Sequence, residues 1–510
     1  MSRILCLLSI LCLLFLEACF WAYTADDTYI DMRYAENLVA GHGLRWNVGE
    51  TPVEGYSNFL WVLWMAFLMK AGVDVIVAVK LTEVALSVAS LFVLHKLAKR
   101  LIGDRPLAVW PVMLLAATPG YAFWAIGGLA THLFVFWMLV AYYFFFRELD
   151  EPQSFPTSAF FFALLALTRH EGAMIFAVSA AFKPICLYLA APRAPNSPTH
   201  PHAHPPIRPV LGHMAAWLLL FCLLYAPYFV WRVGYYGDVL PNTFYAKTKR
   251  SGGMDYILSF LRYTGPFLAL AALSFIVRPA RAMLTRPVCS LYFLLIMAIG
   301  MLVMVDRDIA MGYYFRYFMY LFPPIYILST PMLVLLWDKL RAWRPRWATP
   351  LGLVAAALLL LWVLEPRETM RLRNWYRNYG IALRAAHVEL GKWLRVTCPP
   401  NATLALIDCG AVPYYSKRRT VDLLGLNDAQ IARRGFTLDY FWSRSPDVVV
   451  LTTRSPNTIQ PYTAVERDIL GSKEFQTSFE FARMYRWTTY DLLVFGRRGL
   501  LTRPNPPQKN

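Results

Sequence analysis

Charged residues are scarce in this chain. Asp, Glu, Lys and Arg make up 16% of its 510 residues, and 57% of the residues are hydrophobic. Soluble proteins usually carry about 25% charge and could not bury so much apolar surface. The apolar residues also gather in runs of about 20, the length of helix that crosses a bilayer core. The composition therefore predicts a polytopic membrane protein and argues against a string of soluble domains.

Cysteines and nucleotide-binding motifs are also scarce. Of the 8 cysteines, six lie in apolar runs, where they are explained as small buried residues. Cys398 and Cys409 fall in the polar C-terminal part, where a disulfide and two separate thiols both fit the sequence. Neither a Walker A sequence nor a G-x-G-x-x-G fingerprint is present. Nucleotide chemistry therefore has no support.

Long apolar runs predict eleven membrane-spanning helices. They lie near residues 4–23, 75–95, 107–123, 129–146, 156–169, 172–190, 211–231, 256–277, 288–305, 316–337 and 348–364. The run 59–71 is too short to span comfortably, and counting it would reverse every later loop, so we predict a helix at the outer membrane surface.

Basic loops predict the orientation of these spans, because Lys and Arg beside membrane helices stay cytoplasmic. Five clusters fall on one side if the N-terminus is inside: Lys96/Lys99/Arg100/Arg105, Arg147, Lys183/Arg193/Arg208, Arg278/Arg281/Arg286 and Lys339/Arg341/Arg344/Arg346. An odd number of spans then places the C-terminal part outside, in the periplasm or an equivalent space.

The polar C-terminal part begins near Glu365. Residues 366–510 contain 22 basic and 12 acidic residues, a net +10 of the chain's +18, and no long apolar run. We therefore predict a transmembrane domain over 1–365 and a soluble extracytoplasmic domain over 366–510. Its basic charge suits anionic lipid, acidic glycan or plain solubility, and its location argues against nucleic acid.

This C-terminal part has a mixed pattern of helix and strand. An Arg-rich helical stretch covers 371–394, and buried strands are indicated at 403–407 and 447–451. The pattern predicts a small α/β domain. Asp408 and Asp422 stand at strand ends, where they either contact an acceptor or form turns.

An acidic pair opens the first outer loop, residues 24–74. Asp26 and Asp27 follow the first span directly. Adjacent carboxylates repel each other, and a membrane boundary adds a desolvation cost. Either one carboxylate is a general base toward a hydroxyl while the other positions the acceptor or a cation, or Asp27 simply caps the next helix. The residues alone favour neither alternative.

Two arginines stand in apolar surroundings. Arg169 and Glu171 interrupt a nearly pure apolar stretch, where they either bind substrate or pair with each other. Arg316 enters an apolar helix, and its guanidinium either binds a phosphate or extends to the interface. An anionic lipid-linked substrate would need such cations.

The segment 231–247 mixes aromatic residues, turn residues and cations at a membrane exit. It contains Tyr236, Asp238, Asn242 and Lys247. These residues suit either substrate contacts or an interfacial aromatic belt.

Together, these motifs resemble the GT-C class of integral-membrane glycosyltransferases. The resemblance covers residues 24–430 and rests on the acidic pair, on 168–172, 235–243 and 316–318, and on the Asp408 and Asp422 motifs. Within the class, the chain is most similar to arabinofuranosyltransferases of cell-wall arabinan and pilin glycosylation, which use polyprenyl-phosphate arabinose. It departs from relatives at His170, where Pro is frequent, and near Ala130, where an acidic residue is frequent.

The resemblance implies an enzyme that moves a sugar, D-arabinofuranose first, from a polyprenyl-phosphate donor to a hydroxyl of a glycan, lipid or pilin-like protein. The reaction is expected on the outer face of the bacterial cytoplasmic membrane. The implied roles are Asp27 as base with Asp26 as its partner, Arg169, Arg316 and Lys247 as donor phosphate ligands, and Glu171, Tyr236, Asp238, Asn242, Asp408 and Asp422 as substrate contacts.

Two further expectations concern cofactors and an alternative function. No cofactor is required, and a divalent cation is compatible with the acidic pair. The rival is a lipid-linked sugar transporter or flippase, a class that places charged sites near the bilayer midplane between repeated halves. The chain shows no internal repeat, and its acidic pair lies at the outer boundary.

Overall fold

The computed structural model describes residues 2–151, 154–190, 207–247, 252–307, 309–455 and 458–501. Within these ranges, eight helices are long and apolar enough to cross a membrane. Four further apolar helices are shorter: Phe59–Lys70, Pro106–Ala117, Thr157–Thr168 and Ser290–Met304. A mainly helical membrane architecture is thereby confirmed.

The N-terminal part consists of helices. They are α1 (Ser2–Phe20), α2 (Thr28–Val39), α3 (Phe59–Lys70), α4 (Val75–Ile102), α5 (Trp110–Ala117), α6 (Pro119–Trp124), α7 (Thr131–Asp150), α8 (Thr157–Thr168), α9 (Glu171–Ala190), α10 (Ile207–Tyr236), α11 (Asn242–Ala246), α12 (Gly253–Ile276), α13 (Arg278–Arg281), α14 (Pro287–Met304), α15 (Phe322–Trp343) and α16 (Pro345–Leu364). Short 3₁₀ segments cover Pro106–Val109 and Tyr313–Leu321.

Each of the eleven predicted spans coincides with helical structure, and the run 59–71 forms the short helix α3. The number of crossings and the side on which each loop lies stay predictions. Arg193, from one of the basic clusters, lies outside the described residues.

A buried carboxylate joins two of the long helices. Glu83 of α4 accepts the backbone N–H groups of His132 at 3.0 Å and of Leu133 at 3.2 Å, at the start of α7. The first N–H groups of a helix have no partner within it, so this side chain satisfies two of them. It does so directly after Ala130, near which the resemblance to the GT-C class predicts an acidic residue. A carboxylate from another helix therefore serves this turn.

The C-terminal part contains a five-stranded sheet. Its strands are β1 (Thr403–Leu406), β2 (Arg419–Asp422), β3 (Val448–Thr453), β4 (Phe479–Arg486) and β5 (Asp491–Arg497), in the order β2-β1-β3-β5-β4. Strand β1 pairs in parallel with β2 and β3, whereas β5 pairs antiparallel with β3 and β4. Every residue of β3 is buried, as expected for a strand covered on both faces.

The described residues of the C-terminal part also form seven α-helices. They are α17 (Pro366–Leu383), α18 (Glu389–Thr397), α19 (Ala411–Ser416), α20 (Ala429–Arg434), α21 (Leu438–Ser443), α22 (Ala464–Gly471) and α23 (Lys473–Ser478), with a π-helical turn at Arg384–Val388. The predicted C-terminal α/β unit is thereby confirmed. Cys398 and Cys409 are free buried thiols, so the disulfide alternative is not formed.

The sheet is attached to the helical part through α2. The buried guanidinium of Arg33 donates to the backbone oxygens of Pro413 at 2.8 Å and Arg418 at 2.8 Å, and to that of Trp46 at 2.9 Å. A buried arginine needs such partners, because an unpaired one would be expensive. The carboxyl ends of β1 and β2 lie close to the start of α2: the Ala411 N–H, shortly after β1, donates to Asp26 at 2.9 Å, and Asp422, the last residue of β2, lines one cavity with Asp27. In open α/β sheets this is the edge at which ligands bind.

Candidate functional site

A cavity of about 360 Å³ lies between the start of α2 and the carboxyl ends of β1 and β2. Its lining includes four carboxylates and one cation from the predicted site: Asp26, Asp27, Asp408, Asp422 and Lys247. Six aromatic side chains also line it: Tyr313, Trp375, Tyr379, Tyr462, Trp487 and Tyr490. The cavity thus joins residues that are distant in sequence into one acidic, aromatic chamber.

A smaller cavity of about 50 Å³ meets this chamber at Asp27 and Lys247, which line both. Its other lining residues include Arg169 and Arg316. All three predicted phosphate ligands therefore line one small cavity. We call it the cation cavity, and the larger one the acidic chamber.

Asp27 occupies the junction of the two cavities. It is the residue that precedes α2, yet its side chain makes no capping hydrogen bond. Asp is among the best N-cap residues, and such a cap typically contributes about 1 kcal/mol. The capping alternative is therefore not what the structure shows. No hydrogen bond from the described part of the chain occupies this carboxylate, which leaves it available to a substrate.

Asp26 is held by the C-terminal part. Its Oδ1 accepts the backbone N–H of Ala411 at 2.9 Å. A Cβ atom on Gly410 would lie 2.1 Å from Asp26 Oδ2, so only glycine fits beside this carboxylate. Burial raises the pKa of Asp26 to about 6, an effect that His387 opposes and Asp408 reinforces. Asp26 is thus held by a hydrogen bond from the C-terminal part, whereas Asp27 has none from the described residues.

Asp408 belongs to a hydrogen-bonded cluster that the sequence did not reveal. His387 Nε2 lies 3.0 Å from Asp408 Oδ2, and the Tyr490 hydroxyl lies 2.8 Å from both carboxylate oxygens. Burial lowers the pKa of His387, but the Asp408 carboxylate outweighs it and raises that pKa above 6.5. His387 comes from the π-helical turn and Tyr490 from the residue before β5. Neither residue stands in a motif that predicts this contact.

Asp422 lines the acidic chamber but is fully hydrogen-bonded. Its carboxylate accepts the backbone N–H groups of Leu424 at 3.0 Å, Gly425 at 3.1 Å and Asn427 at 2.8 Å, and the Asn427 side-chain amide at 3.0 Å. These contacts organise the turn after β2. The turn-forming alternative for Asp422 is therefore present in the structure.

The two arginines of the cation cavity differ in their partners. Arg169 Nη2 donates to Glu171 Oε1 at 2.7 Å, so the predicted ion pair is present. Arg316 lies with its guanidinium carbon 4.8 Å from the Trp124 ring centre, and its buried Nε has no hydrogen-bond partner. Among the described residues no carboxylate pairs with Arg316. Arg316 is thus the arginine that is free to take an anion.

Besides Glu171, which pairs with Arg169, three predicted substrate contacts lie outside both cavities. The Tyr236 hydroxyl contacts that of Tyr56 at 3.0 Å. Asp238 pairs with Arg433 of the C-terminal part. Asn242 Nδ2 donates to the backbone oxygens of Gly425 at 2.8 Å and Leu426 at 2.9 Å. The structure uses these side chains to attach the 231–247 segment to its neighbours.

Asp31 and Asn58 also line the cation cavity, and sequence reasoning missed both. A signal for Asp31 existed, because residues four apart lie on one face of a helix and Asp31 is four residues after Asp27. In the part of the chain that the structure describes, no group of three or more His, Cys, Asp or Glu side chains is placed to hold a metal ion.

Solved structures share this architecture. The crystal structure of ArnT from Cupriavidus metallidurans bound to undecaprenyl phosphate matches with a TM-score of 0.61 and 13% identity, over 98% of this chain and 99% of that chain. Its apo structure matches with a TM-score of 0.59 and 13% identity, over 98% of both chains. Likeness at this identity shows the fold, and the predicted GT-C-like membrane fold is confirmed.

The C-terminal part was also compared with known protein families. Residues 373–495 match a domain of unknown function, DUF8728. No curated protein matches the chain.

Proposed function

We propose that this protein is a membrane glycosyltransferase that transfers a sugar, with D-arabinofuranose as the first candidate, from a polyprenyl-phosphate donor to an acceptor hydroxyl. One observation carries the proposal: Asp27 stands uncapped where the cation cavity meets the acidic chamber. A similar fold, that of ArnT, has been solved with undecaprenyl phosphate bound. A polyprenyl-phosphate donor for this chain is consistent with both.

The cation cavity suits the donor phosphate. Arg316 and Lys247 have no carboxylate partner among the described side chains, whereas Arg169 is paired with Glu171. Planar guanidinium groups bind phosphate oxygens through two parallel hydrogen bonds. Arg316 and Lys247 therefore supply the net positive charge. The charge of Arg169 is balanced by Glu171, so Arg169 contributes only the N–H groups that Glu171 does not occupy.

The reaction follows from this placement. Asp27 takes the proton of an acceptor hydroxyl, whose oxygen forms a bond to the anomeric carbon of the donor sugar. The bond between that carbon and the phosphate oxygen breaks, and its electron pair stays on the polyprenyl phosphate. The leaving phosphate gains negative charge, which Arg316 and Lys247 stabilise in place. A positioned general base typically contributes about 10² to 10⁴-fold.

The acidic chamber suits the acceptor. Asp26 is fixed by the Ala411 N–H beside Asp27, and Asp408 is held by His387 and Tyr490. Carboxylates accept hydrogen bonds from hydroxyl groups, and the aromatic rings provide apolar faces for the rest of the acceptor. A glycan, lipid or pilin-like protein would present its hydroxyl here, on the outer face of the bacterial cytoplasmic membrane.

Substitution of Asp27 tests the proposal. Asp27→Asn keeps the size of the side chain and removes the base, so transfer from an undecaprenyl-phosphate-linked sugar should fall by about 10² to 10⁴-fold. Asp74→Asn is the matched control, because Asp74 is an N-cap residue that does cap its helix, with the Val77 N–H at 3.0 Å from its carboxylate. A folded Asp27→Asn protein with wild-type transfer would refute the assignment. Transport of the lipid in vesicles without any glycosyl product would favour the flippase.

A further inference from the structure

Two helix starts in the site lack a side-chain cap. Asn58 precedes α3, as Asp27 precedes α2, and its side chain likewise makes no capping hydrogen bond. Asn is among the preferred N-cap residues, so an uncapped start forgoes about 1 kcal/mol. Elsewhere in the chain, Asp74 and Asp428 cap their helices in the ordinary way. Both uncapped residues line the cation cavity.

The Asn58 amide is directed to Asp31. Its Nδ2 donates to Asp31 Oδ2 at 2.6 Å, and Asp31 and Asn58 are only 4% and 6% exposed. The other end of the amide, Oδ1, is buried without a hydrogen-bond partner. Buried polar atoms are nearly always paired, so an unpaired carbonyl oxygen on a residue that lines a cavity points to an absent donor.

The absent donor is not an anion or a metal ion. Asn58 Oδ1 and the second oxygen of Asp31 are of the hydrogen-bond acceptor type, and acceptors repel a phosphate oxygen. Arg169, Arg316 and Lys247 line the same cavity and make it unfavourable for a metal ion. A neutral group with O–H donors fits this mixture. The hydroxyl groups of a sugar that is attached to a bound phosphate are such donors.

We infer that Asp31 and Asn58 form the seat of the donor sugar, where they accept hydrogen bonds from hydroxyl groups next to the anomeric carbon. The inference rests on the proposed function for the phosphate ligands and deepens it by assigning sugar recognition. Asp31 lies one helical turn from Asp27, so a sugar seated there has its anomeric carbon close to the base. The seat selects sugars that carry hydroxyl groups next to the anomeric carbon over sugars that lack them.

Binding of two lipids tests the seat. The affinities of undecaprenyl phosphate and of undecaprenyl-phosphate-linked arabinose are compared for the full-length protein in nanodiscs. The wild-type chain should prefer the sugar-linked lipid by about 10 to 100-fold, the range expected for one or two hydrogen bonds in a buried site. Asn58→Leu should remove most of this preference and leave the affinity for undecaprenyl phosphate within about twofold. Asp74→Asn should keep the preference.

A second arm needs no substitution. The wild-type chain should bind a 2-deoxy analogue of the sugar-linked lipid no more tightly than undecaprenyl phosphate itself. The seat is refuted if the wild-type chain shows no preference for the sugar, if it binds the deoxy analogue as well as the parent, or if Asn58→Leu weakens both lipids equally. The proposed function fails separately, when the wild-type chain binds the donor but transfers sugar to no acceptor.

Discussion

Asp31 gives the sharpest test of how the site is built, because its burial is unfavourable to the fold. Asp31 is 4% exposed, and among the described residues its carboxyl group accepts one hydrogen bond, from Asn58. Burial raises its pKa from 3.8 to about 7; Asn58 opposes this rise, Asp27 adds to it, and Arg316 and Arg169 oppose it. The folded protein therefore binds this proton more tightly than the unfolded chain.

The pH dependence follows from that difference. A group whose folded-state pKa is raised stabilises the fold fully below the unfolded-state value, and this contribution is lost as pH rises through the folded-state value. For Asp31 the loss runs from about pH 4 to about pH 7. A difference of about 3 pKa units corresponds to about 4 kcal/mol at most. Asp31→Asn keeps the shape of the side chain without a titratable proton, so it should escape this loss.

The assay is thermal unfolding of the full-length protein in nanodiscs between pH 4 and pH 8. Asp31→Asn should match the wild type near pH 4 and unfold at a higher temperature by pH 8, while transfer falls. Asp422→Asn is the contrasting variant, since Asp422 is also buried, at 1% exposure, and its pKa is raised to about 6 by burial. It accepts four hydrogen bonds. An amide there would place N–H groups against N–H groups, so Asp422→Asn should lower the unfolding temperature at every pH.

An Asp31→Asn protein that is less stable than wild type at pH 8 would refute this reasoning. So would an unfolding temperature that differs from wild type by the same amount at pH 4 and pH 8. Either result would mean that partners in the fold stabilise the Asp31 carboxylate, so that its burial does not destabilise the protein.

Three other variants probe separate contacts. Gly410→Ala places a Cβ atom 2.1 Å from Asp26 Oδ2 and should lower transfer at least tenfold in a folded protein, as measured by turnover of the sugar-linked lipid. Arg232→Ala leaves Glu54 buried without its partner at 2.5 Å and should destabilise the protein by about 3 to 5 kcal/mol, seen as a large fall in unfolding temperature. His387→Gln should flatten the fall in unfolding temperature above pH 6.5, because the wild-type residue stabilises the fold in its protonated form and loses this effect as pH rises.

Elements with a local cause were predictable from the sequence. A run of about 20 apolar residues has few alternatives to a membrane helix, and each predicted run is helical in the structure. The buried run 447–451 corresponds to strand β3, Val448–Thr453. The short run 59–71 forms a helix of 12 residues. In each case, the pattern of apolar residues and the length of the run were sufficient.

Contacts between distant segments were not predictable. Asp238 and Asn242 have the composition of a binding loop, yet their partners are Arg433 and the turn at Gly425, almost 200 residues away. His387 joins Asp408 because a π-helical turn and the end of β1 meet in the fold. Polar residues in one motif do not identify which polar residues of another motif they contact. The sequence therefore indicated which types of residue form the site better than which individual residues meet there.

Helix α2 explains why the site needs both parts of the chain. Asp27 and Asp31 are four residues apart and share one face, which lines the cation cavity. Arg33 is six residues from Asp27 and, at 3.6 residues per turn, lies about 120° around the helix, where it binds the backbone oxygens of Pro413 and Arg418. Since the helix is rigid over this length, a shift of the sheet moves Asp27 relative to Arg316. The C-terminal part thus positions the proposed base as well as lining the acidic chamber.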